Sequence, residues 1–378
     1  MSAVEPLLEI RGLTVTYRRG RGRPPLTALN NVDLTVAPGE TLSVVGESGS
    51  GKTTLGNAVL GLVPPTAGSI HFAGEDITVA STRRRRQLTE NIQVVFQDPH
   101  GSLNPARTVG QTLEEPLLAH RTMSRAERRA EVAAALDRVG LDHDAASRYP
   151  AEFSGGQLQR IAIARALMLS PRLLVCDEAV SALDLSIQAQ ILNLLRQLQR
   201  DLGLSYLFIS HDLAVVRHVS DRVAVLYHGR LMETGTASDV CDQPVHPYTR
   251  ALLASAPVPD PVEQRRRRAD ELAAKYTDPS PRTDTGCPFR DRCSYALDRC
   301  ADPLPIHHRR SGLVACHRYG ELGTEGSDRL PEGRGERPAS EPLARTSAQT
   351  TADGSGLDGP VRSDQFRQTP QPRRTPAR

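Results

Sequence analysis

The chain has 378 residues, of which 38% are hydrophobic and 24% charged, enough for one large domain with a smaller appendage. The formal net charge of +3 is small for this length, so charge alone does not indicate a nucleic-acid-binding protein. The sequence has no run of 18 apolar residues, and its first residues lack the pattern of a signal peptide. We therefore expect a chain that neither spans a membrane nor is exported through such a peptide.

The first predicted elements are strands. Apolar patterns over residues 7–17 and 28–36 predict two strands, separated by a loop rich in Arg, Gly and Pro. They predict an antiparallel sheet at the start of a domain that covers residues 1–240. Tyr17, at the end of the first strand, can stack on an adenine ring, although a tyrosine on a half-buried strand usually only packs.

A phosphate-binding loop follows the next predicted strand. The apolar run TLSVVG leads into GESGSGKTT (residues 46–54), and a helix is predicted from residue 52 to 62. Backbone N–H groups of such a loop surround phosphate oxygens, while Lys52 adds a cation and Thr53 offers a hydroxyl to Mg²⁺. The predicted site for a nucleotide and Mg²⁺ includes Tyr17, Gly46, Ser48, Gly49, Gly51, Lys52, Thr53 and Thr54.

The remainder of this domain alternates strands and helices. Apolar runs at 92–96, 173–176, 205–210 and 222–227 are separated by helical patterns, which predicts a parallel sheet covered by helices and thus an α/β fold. Residues from about 98 to 170 form a predicted inserted helical subdomain. Within it, Ser124 and Glu127 have the spacing of a capping box.

Polar residues follow three of the predicted strands, where open α/β sheets place their ligands. Asp177 and Glu178 end one strand, so that one carboxylate can bind a metal ion and the other can polarise an attacking water. Gln97 and His211 follow two other strands. Each of these residues alone is more often structural, but beside a complete phosphate loop the functional interpretation is favoured.

A second anion-binding helix start lies far along the chain. The stretch FSGGQ (residues 153–157) precedes a predicted helix and contributes Ser154, Gly155, Gly156 and Gln157. Together with the phosphate loop and the acidic pair, it resembles the signature of the ATP-binding cassette (ABC) ATPases, with Phe153 where leucine is usual. The resemblance covers about residues 7–235.

This resemblance implies a P-loop, RecA-like core and a head-to-tail dimer. The signature of one chain would contact ATP held by the phosphate loop of the other, so the two helix starts would serve different nucleotides. It also implies that Asp177 orders Mg²⁺, that Glu178 is the catalytic base and that His211 contacts the γ-phosphate.

The resemblance further implies partners. Gln97 would sense Mg²⁺ and an attached membrane subunit, and the loop with Ser181 and Asp184 would run across a dimer with a second ABC ATPase, identical or different. Two transmembrane permease subunits and an extracytoplasmic binding protein would complete an assembly, with this chain at the cytoplasmic face of the inner membrane.

An extension is predicted over residues 241–320. Its stretches HPYTRALLASAP, GCPFRDRCSYALDRC and LVACHRY resemble the extension of ATPases that energise dipeptide, oligopeptide and nickel importers. We therefore predict the ATP-hydrolysing subunit of a peptide importer, with nickel or another small solute as an alternative substrate. A soluble ABC ATPase acting on nucleic acid or ribosomes is a more distant alternative. The arginines of STRRRRQ (residues 81–87) are interpreted as a solvated loop, and no nucleic acid is expected.

Four of the six cysteines crowd into one short region of this extension, at Cys287, Cys293, Cys300 and Cys316. For one cysteine a buried thiol would be the simple interpretation, but four in a Pro- and Arg-rich segment favour a metal. The close C-x2-4-C pair typical of zinc is missing, and [4Fe–4S] clusters occur in some members of the resembled branch. We predict such a cluster, with Zn²⁺ as the alternative and His317 as a substitute ligand. Residues 321–378 are predicted to be a disordered tail.

Overall fold

A computed structural model of the protein describes residues 5–20, 24–255, 285–309 and 311–322. These residues belong to one compact unit, Met1–Asp328. The predicted tail lies outside the described residues apart from its first two positions. The predicted domain boundaries at residues 240 and 320 stay predictions.

Two sheets and ten helices make up the described part of the chain. The strands are β1 (Leu8–Tyr17), β2 (Leu26–Val36), β3 (Thr41–Val45), β4 (Ala67–Phe72), β5 (Glu75–Asp76), β6 (Ile92–Val95), β7 (Leu173–Asp177), β8 (Ser205–Ser210), β9 (Arg222–Tyr227), β10 (Arg230–Thr236), β11 (His307–Arg309) and β12 (Gly312–Val314). The helices are α1 (Lys52–Leu60), α2 (Thr82–Leu88), α3 (Pro99–Ser102), α4 (Val109–His120), α5 (Arg125–Arg138), α6 (Gly155–Leu167), α7 (Leu185–Leu202), α8 (Leu213–Val219), α9 (Ala237–Cys241) and α10 (Pro247–Ala254). Short 3₁₀ turns lie at His143–Ser147, Pro150–Glu152, Arg290–Arg292 and Asp298–Ala301.

The smaller sheet is antiparallel, as predicted. Its order is β2-β1-β4-β5, and the β1–β2 ladder runs from Leu8 opposite Val36 to Tyr17 opposite Leu26. One face of β1 is buried, in keeping with alternating apolar residues in its sequence. The pairing places Tyr17 at the end of the sheet, beside the phosphate loop.

The larger sheet has eight strands in the order β11-β12-β10-β9-β3-β8-β7-β6. The five strands from β9 to β6 are parallel, and β3 and β8 are buried along their whole length. Because parallel strands end at the same edge, the residues after β3, β6, β7 and β8 are brought to one side. The other three strands are antiparallel, and Glu233 on β10 pairs with Val314 on β12, so the extension continues this sheet.

Helices dominate the chain between β6 and β7, in agreement with the predicted helical pattern. Ser124 begins α5, and its side chain and that of Glu127 each accept a backbone hydrogen bond from the other residue, which confirms the predicted capping box. Buried residues of α4, α5 and α6 form a common core, including Leu113, Leu136 and Ile161. Within the described ranges, no helix is both long and apolar enough to cross a membrane.

The arginine-rich stretch is not the loop that the sequence predicts. Residues Thr82–Leu88 form α2, and the Ser81 hydroxyl caps its start by accepting from the Arg84 backbone N–H at 3.3 Å. Arg85 donates to the Ile77 carbonyl at 2.5 Å, and Arg86 donates to the Ala119 carbonyl at 2.9 Å. Only the loop part of the prediction was wrong, because the bonds of Arg85 and Arg86 to backbone carbonyls fix a helix against the domain. Arg83 and Arg86 are exposed, as expected for a solvated face.

Candidate nucleotide site and cysteine cavity

The phosphate loop requires glycine at its two ends. Gly46 has φ 155°, and a Cβ there would lie 2.1 Å from the Leu226 carbonyl oxygen. Gly51 has φ 113°, and its Cβ would lie 2.6 Å from the Ala28 carbonyl oxygen. No side chain caps the start of α1, and the buried Ser50 hydroxyl has no hydrogen-bond partner among the described residues. An uncapped helix start beside an unpaired hydroxyl fits a bound phosphate.

Lys52 is held inside this loop. Its ammonium donates to the carbonyls of Gly46 at 2.7 Å and Glu47 at 2.9 Å, and the residue is only 4% exposed. Burial lowers the pKa of Lys52, while the nearby carboxylates of Glu178 and Asp177 act in the opposite direction. The cation therefore lies between a loop shaped for phosphate and two acidic side chains.

The end of β7 provides oxygen ligands next to this lysine. The Thr53 hydroxyl donates to Asp177 Oδ1 at 3.3 Å, and burial raises the pKa of the Asp177 carboxyl. A hydroxyl and a carboxylate at this separation suit Mg²⁺, which prefers oxygen ligands. The hydroxyls of Tyr17 and Thr54 lie 3.4 Å apart, so the tyrosine is on the same side of the loop.

Glu178 and His211 face each other across neighbouring strand ends. His211 Nδ1 lies 3.5 Å from Glu178 Oε1. Glu178 has φ 49°, an unfavourable value for a non-glycine residue, and its backbone N–H donates to the Ile209 carbonyl at 3.0 Å. The Ser181 hydroxyl donates to the Glu178 carbonyl at 2.9 Å. A strained backbone held from both sides fixes this carboxylate at the strand end. Gln97 is exposed and lies two residues after the end of β6.

The signature stretch forms a helix start that is capped from within. The Ser154 hydroxyl accepts from the Gln157 backbone N–H at 3.4 Å, and Gln157 Oε1 accepts from the Ser154 N–H at 3.0 Å. Phe153 is buried, with the Arg148 guanidinium 4.3 Å from the ring centroid. A Cβ on Gly156 would lie 2.6 Å from the Ile187 side chain, whereas Gly155 meets only a distant leucine methyl. Glycine at 156 thus lets α6 pack closely on α7.

Asp184 in the predicted dimer loop is the N-cap of α7. Its carboxylate accepts from the Ile187 backbone N–H at 2.9 Å. Leu185, the next residue, is 84% exposed, which is unusual for a leucine. The segment is therefore a well-formed helix start that presents an apolar side chain to solvent.

The structure adds a contact that the sequence did not predict. Arg292 of the extension donates to both carboxylate oxygens of Glu47 at 2.7 and 2.9 Å, and the Glu47 N–H donates to the Tyr248 hydroxyl at 2.8 Å. Glu47 is a variable position of the loop pattern, and about 245 residues separate it from Arg292. The only sequence signal for a role of Tyr248 is the HPY stretch, which was noted above as part of the family resemblance.

All four cysteines predicted as metal ligands line one small cavity of the extension, together with His246 and His317. Burial raises the pKa of Cys287 to about 12 and also raises the pKa values of Cys293 and Cys316. Within the described ranges, no three His, Cys, Asp or Glu side chains are placed to hold a metal ion. The structure therefore does not support the predicted cluster or zinc site by itself, because protonated thiols pack as small apolar groups.

Comparisons with known proteins agree with this architecture. Residues 29–181 match the ABC transporter family, and residues 232–300 match the oligopeptide/dipeptide transporter C-terminal region. The oligopeptide transport ATP-binding protein OppF of Salmonella typhimurium is 48% identical over 309 residues, covering 79% of this chain and 92% of OppF. The chain belongs to the ABC transporter ATP-binding proteins.

Two further comparisons show which proteins this ABC protein is similar to. The di/tripeptide transport ATP-binding protein DppF of Pseudomonas aeruginosa is 47% identical to it, over 83% of this chain and 98% of DppF. A solved dimeric, post-hydrolysis state of an ATP-binding cassette bound to ADP and Pi is 31% identical, with a TM-score of 0.56 over 61% of this chain and 98% of that one. The predicted fold, an ABC ATPase with a P-loop core and an antiparallel sheet, is confirmed.

Proposed function

We propose that this ABC ATPase energises the import of peptides through a membrane permease complex. The observation that carries the proposal is that the described parts of the peptide-transporter C-terminal region, residues 232–255 and 285–300, lie on the same compact unit as the phosphate loop. The names of OppF and DppF, both peptide transport ATP-binding proteins, support peptides over nickel.

The nucleotide roles follow from the geometry of the loop and strand ends. Lys52 would exchange the two loop carbonyls for phosphate oxygens, and Thr53 with Asp177 would hold Mg²⁺. Mg²⁺, when bound, neutralises phosphate charge. Glu178 would accept a proton from the attacking water, and His211, at 3.5 Å from it, would orient the γ-phosphate.

A head-to-tail dimer would complete each ATP site with the partner's signature. This proposal is supported by the exposed start of α6 and by the dimeric cassette among the structural relatives. The dimer loop with Ser181 and Asp184 would lie at the same interface.

Mixing two inactive variants tests this arrangement. Lys52→Ala disables the loop and Ser154→Arg blocks the signature, so each homodimer should lack ATPase activity. A mixed dimer contains one intact pair, and mixing should restore part of the activity. No recovery after verified subunit exchange would overturn the shared site. A wild-type chain that binds ATP but never hydrolyses it alone would indicate a different ATPase as partner.

A permease subunit would bind near Gln97. A surface cavity of about 260 Å³ lies between β6, α4 and α6, and its lining includes Phe96, Pro116 and Ala162. Phe96 is 43% exposed and immediately precedes Gln97, so a bound permease segment would contact the ATPase beside its nucleotide site. In this proposal the chain would lie peripherally at the cytoplasmic face of the inner membrane, in a complex with an extracytoplasmic peptide-binding protein.

Affinity capture from detergent-solubilised native membranes tests the partners. We expect two permease subunits, and no nucleic acid, to accompany the wild-type chain. Phe96→Asp should lose the permease subunits while ATP binding persists, and Val79→Asp, at a residue 92% exposed, is the matched control. Recovery only from the soluble fraction with ribosomes or nucleic acid would refute peptide import.

The extension would hold a [4Fe–4S] cluster on Cys287, Cys293, Cys300 and Cys316. Its support is chemical, since four thiols share one cavity. Burial raises the pKa values of Cys287, Cys293 and Cys316, and backbone N–H groups two residues after each of them oppose this effect by hydrogen-bonding to the sulfurs, toward the thiolate form that binds metal. With no electron-transfer partner indicated, its role would be structural or regulatory.

Anaerobic purification tests the cluster. Brown protein should contain iron and acid-labile sulfide, both lost in Cys300→Ser and kept in Cys241→Ser, which removes a buried cysteine elsewhere. One tightly bound zinc per chain would establish the alternative. Protein that contains neither iron nor zinc would mean that the thiols are core residues.

We also propose a domain at residues 1–240, which includes a helical subdomain at about 98–170. A second domain would cover residues 241–320, followed by a tail at 321–378.

A further inference from the structure

The phosphate loop is held from outside by two residues of the extension. Arg292 binds Glu47 through two hydrogen bonds of 2.7 and 2.9 Å, the paired geometry of a strong guanidinium–carboxylate contact. The Tyr248 hydroxyl accepts from the Glu47 N–H at 2.8 Å. The backbone N–H and the carboxylate of one loop residue are thus both fixed by the extension.

Arg292 and Tyr248 are themselves rigidly supported. Tyr227, Tyr248 and Phe289 form an aromatic cluster with ring centroids 4.5 to 5.4 Å apart, and all three residues are less than 5% exposed. The Arg292 guanidinium lies 5.7 Å from the Phe289 ring centroid and 6.0 Å from that of Tyr227. Tyr227 ends β9, so the cluster connects the extension to the main sheet.

The charges around Lys52 explain why this support matters for ATP. Glu47 contributes its carbonyl to the Lys52 ammonium at 2.9 Å, and its carboxylate lies within electrostatic range of that lysine. Without Arg292, an uncompensated carboxylate would stand at the rim of a site that must accept a highly negative triphosphate. The loop would also lose the contact that fixes its second residue.

We propose that Arg292 and Tyr248 are positioning residues for the phosphate loop, through which the extension sets the affinity for ATP. The inference rests on the proposed role of the loop as the ATP site. Arg292 acts by neutralising and orienting Glu47, and Tyr248 acts by directing the Glu47 backbone. Neither residue contacts the nucleotide.

The test is ATP affinity in the full chain, measured by titration with a fluorescent ATP analogue, together with turnover at saturating ATP. Arg292→Gln should weaken binding about three- to thirtyfold with little change in saturated turnover. The ATP affinity of Arg292→Lys should lie between those of Arg292→Gln and the wild type, because a lysine keeps the charge without the paired geometry. Tyr248→Phe, which removes only the hydroxyl, should weaken binding less.

A charge-balanced variant and a matched control make the result specific. Glu47→Gln combined with Arg292→Gln should bind ATP better than Arg292→Gln alone, because the uncompensated carboxylate is removed. Arg299→Gln breaks an ion pair with Glu321 in the same extension and should leave ATP binding unchanged.

Two negative outcomes have different meanings. Folded Arg292→Gln and Arg292→Lys proteins that bind ATP as tightly as Arg299→Gln would overturn the positioning role. A folded wild-type chain that binds no ATP would instead refute the proposed function.

Discussion

The starts of α1 and α6 are both suited to anions, yet they are built differently. At α1 the N-cap is Gly51, no side chain caps the helix, and Lys52 folds back onto loop carbonyls. At α6 Ser154 and Gln157 satisfy each other's backbone N–H groups. The first start is open and supported by distant parts of the chain, whereas the second is complete locally.

A third helix start clarifies the difference. The backbone N–H groups of Val245 and His246, just before α10, donate to the buried carboxylate of Glu233 at 3.0 and 2.9 Å. At this helix start the anion is a side chain of the protein itself, the Glu233 carboxylate. An open helix start can bind a substrate anion, a self-capped start needs a ligand that displaces its cap, and an occupied start is structural.

The largest expected effect concerns hydrolysis at the open start. Glu178→Gln should preserve ATP binding but reduce turnover about 10²–10⁴-fold, because the proposed general base is lost. Steady-state phosphate release and ATP titration measure the two quantities. Turnover close to that of the wild type would remove Glu178 from the catalytic role.

The open and self-capped starts should respond differently to substitution. Lys52→Ala should weaken ATP binding to the single chain at least about tenfold, since hydrogen bonds to charged groups contribute ~1.5–3 kcal/mol. Ser154→Ala should leave that binding intact and lower only the hydrolysis that requires the dimer. Equal losses of ATP binding in both variants would contradict the separate roles of the two helix starts.

The pH dependence of stability tests the role of Glu233 at the occupied helix start. Burial raises the pKa of Glu233 above its usual value despite the hydrogen bonds it accepts. The folded state then holds the proton more tightly than the unfolded state, so this group's stabilisation is complete below about pH 4.5 and falls as pH rises through the folded pKa, by at most ~1.4 kcal/mol per unit.

Glu233→Gln should remove this decline of stability with rising pH, whereas Glu131→Gln, at an exposed residue, should not. Urea unfolding at several pH values measures it. The Arg309 guanidinium also donates to Glu233 Oε1 at 3.2 Å. Wild-type stability that rises relative to Glu233→Gln above pH 4.5 would mean that this contact and the helix start outweigh burial.

The smallest effect is expected at an ordinary capped start. Asp184→Ala should lower the free energy of unfolding by about 0.5–2 kcal/mol, because α7 loses its N-cap bond. Asp184→Asn retains an acceptor and should be nearly neutral. A fall in ATPase activity without a change in stability would instead support the proposed dimer role.

Local pattern predicted much of the fold. The strands at 205–210 and 222–227 were predicted to the residue, because buried parallel strands are short apolar runs with clear ends. The helix α2 was missed, since four consecutive arginines have no amphipathic period and their carbonyl partners are distant in sequence. The strands β11 and β12, of three residues each, carry too little pattern to predict.

The site residues were predicted where chemistry is concentrated in short motifs. The contact of Thr53 with Asp177 follows from the order of strand ends in a parallel sheet. The contact of Glu47 with Arg292 does not, because it depends on how the extension packs against the main sheet. No local rule specifies that packing.

The addition of β12 to β10 also bears on biosynthesis. A ribosome releases β10 well before residues 312–314, so the outer edge of this strand stays unpaired until the extension emerges. A nascent chain paused in this interval, or a truncation before residue 307, would present an open edge to other chains. Completion of the extension therefore protects the ATPase sheet against intermolecular strand pairing.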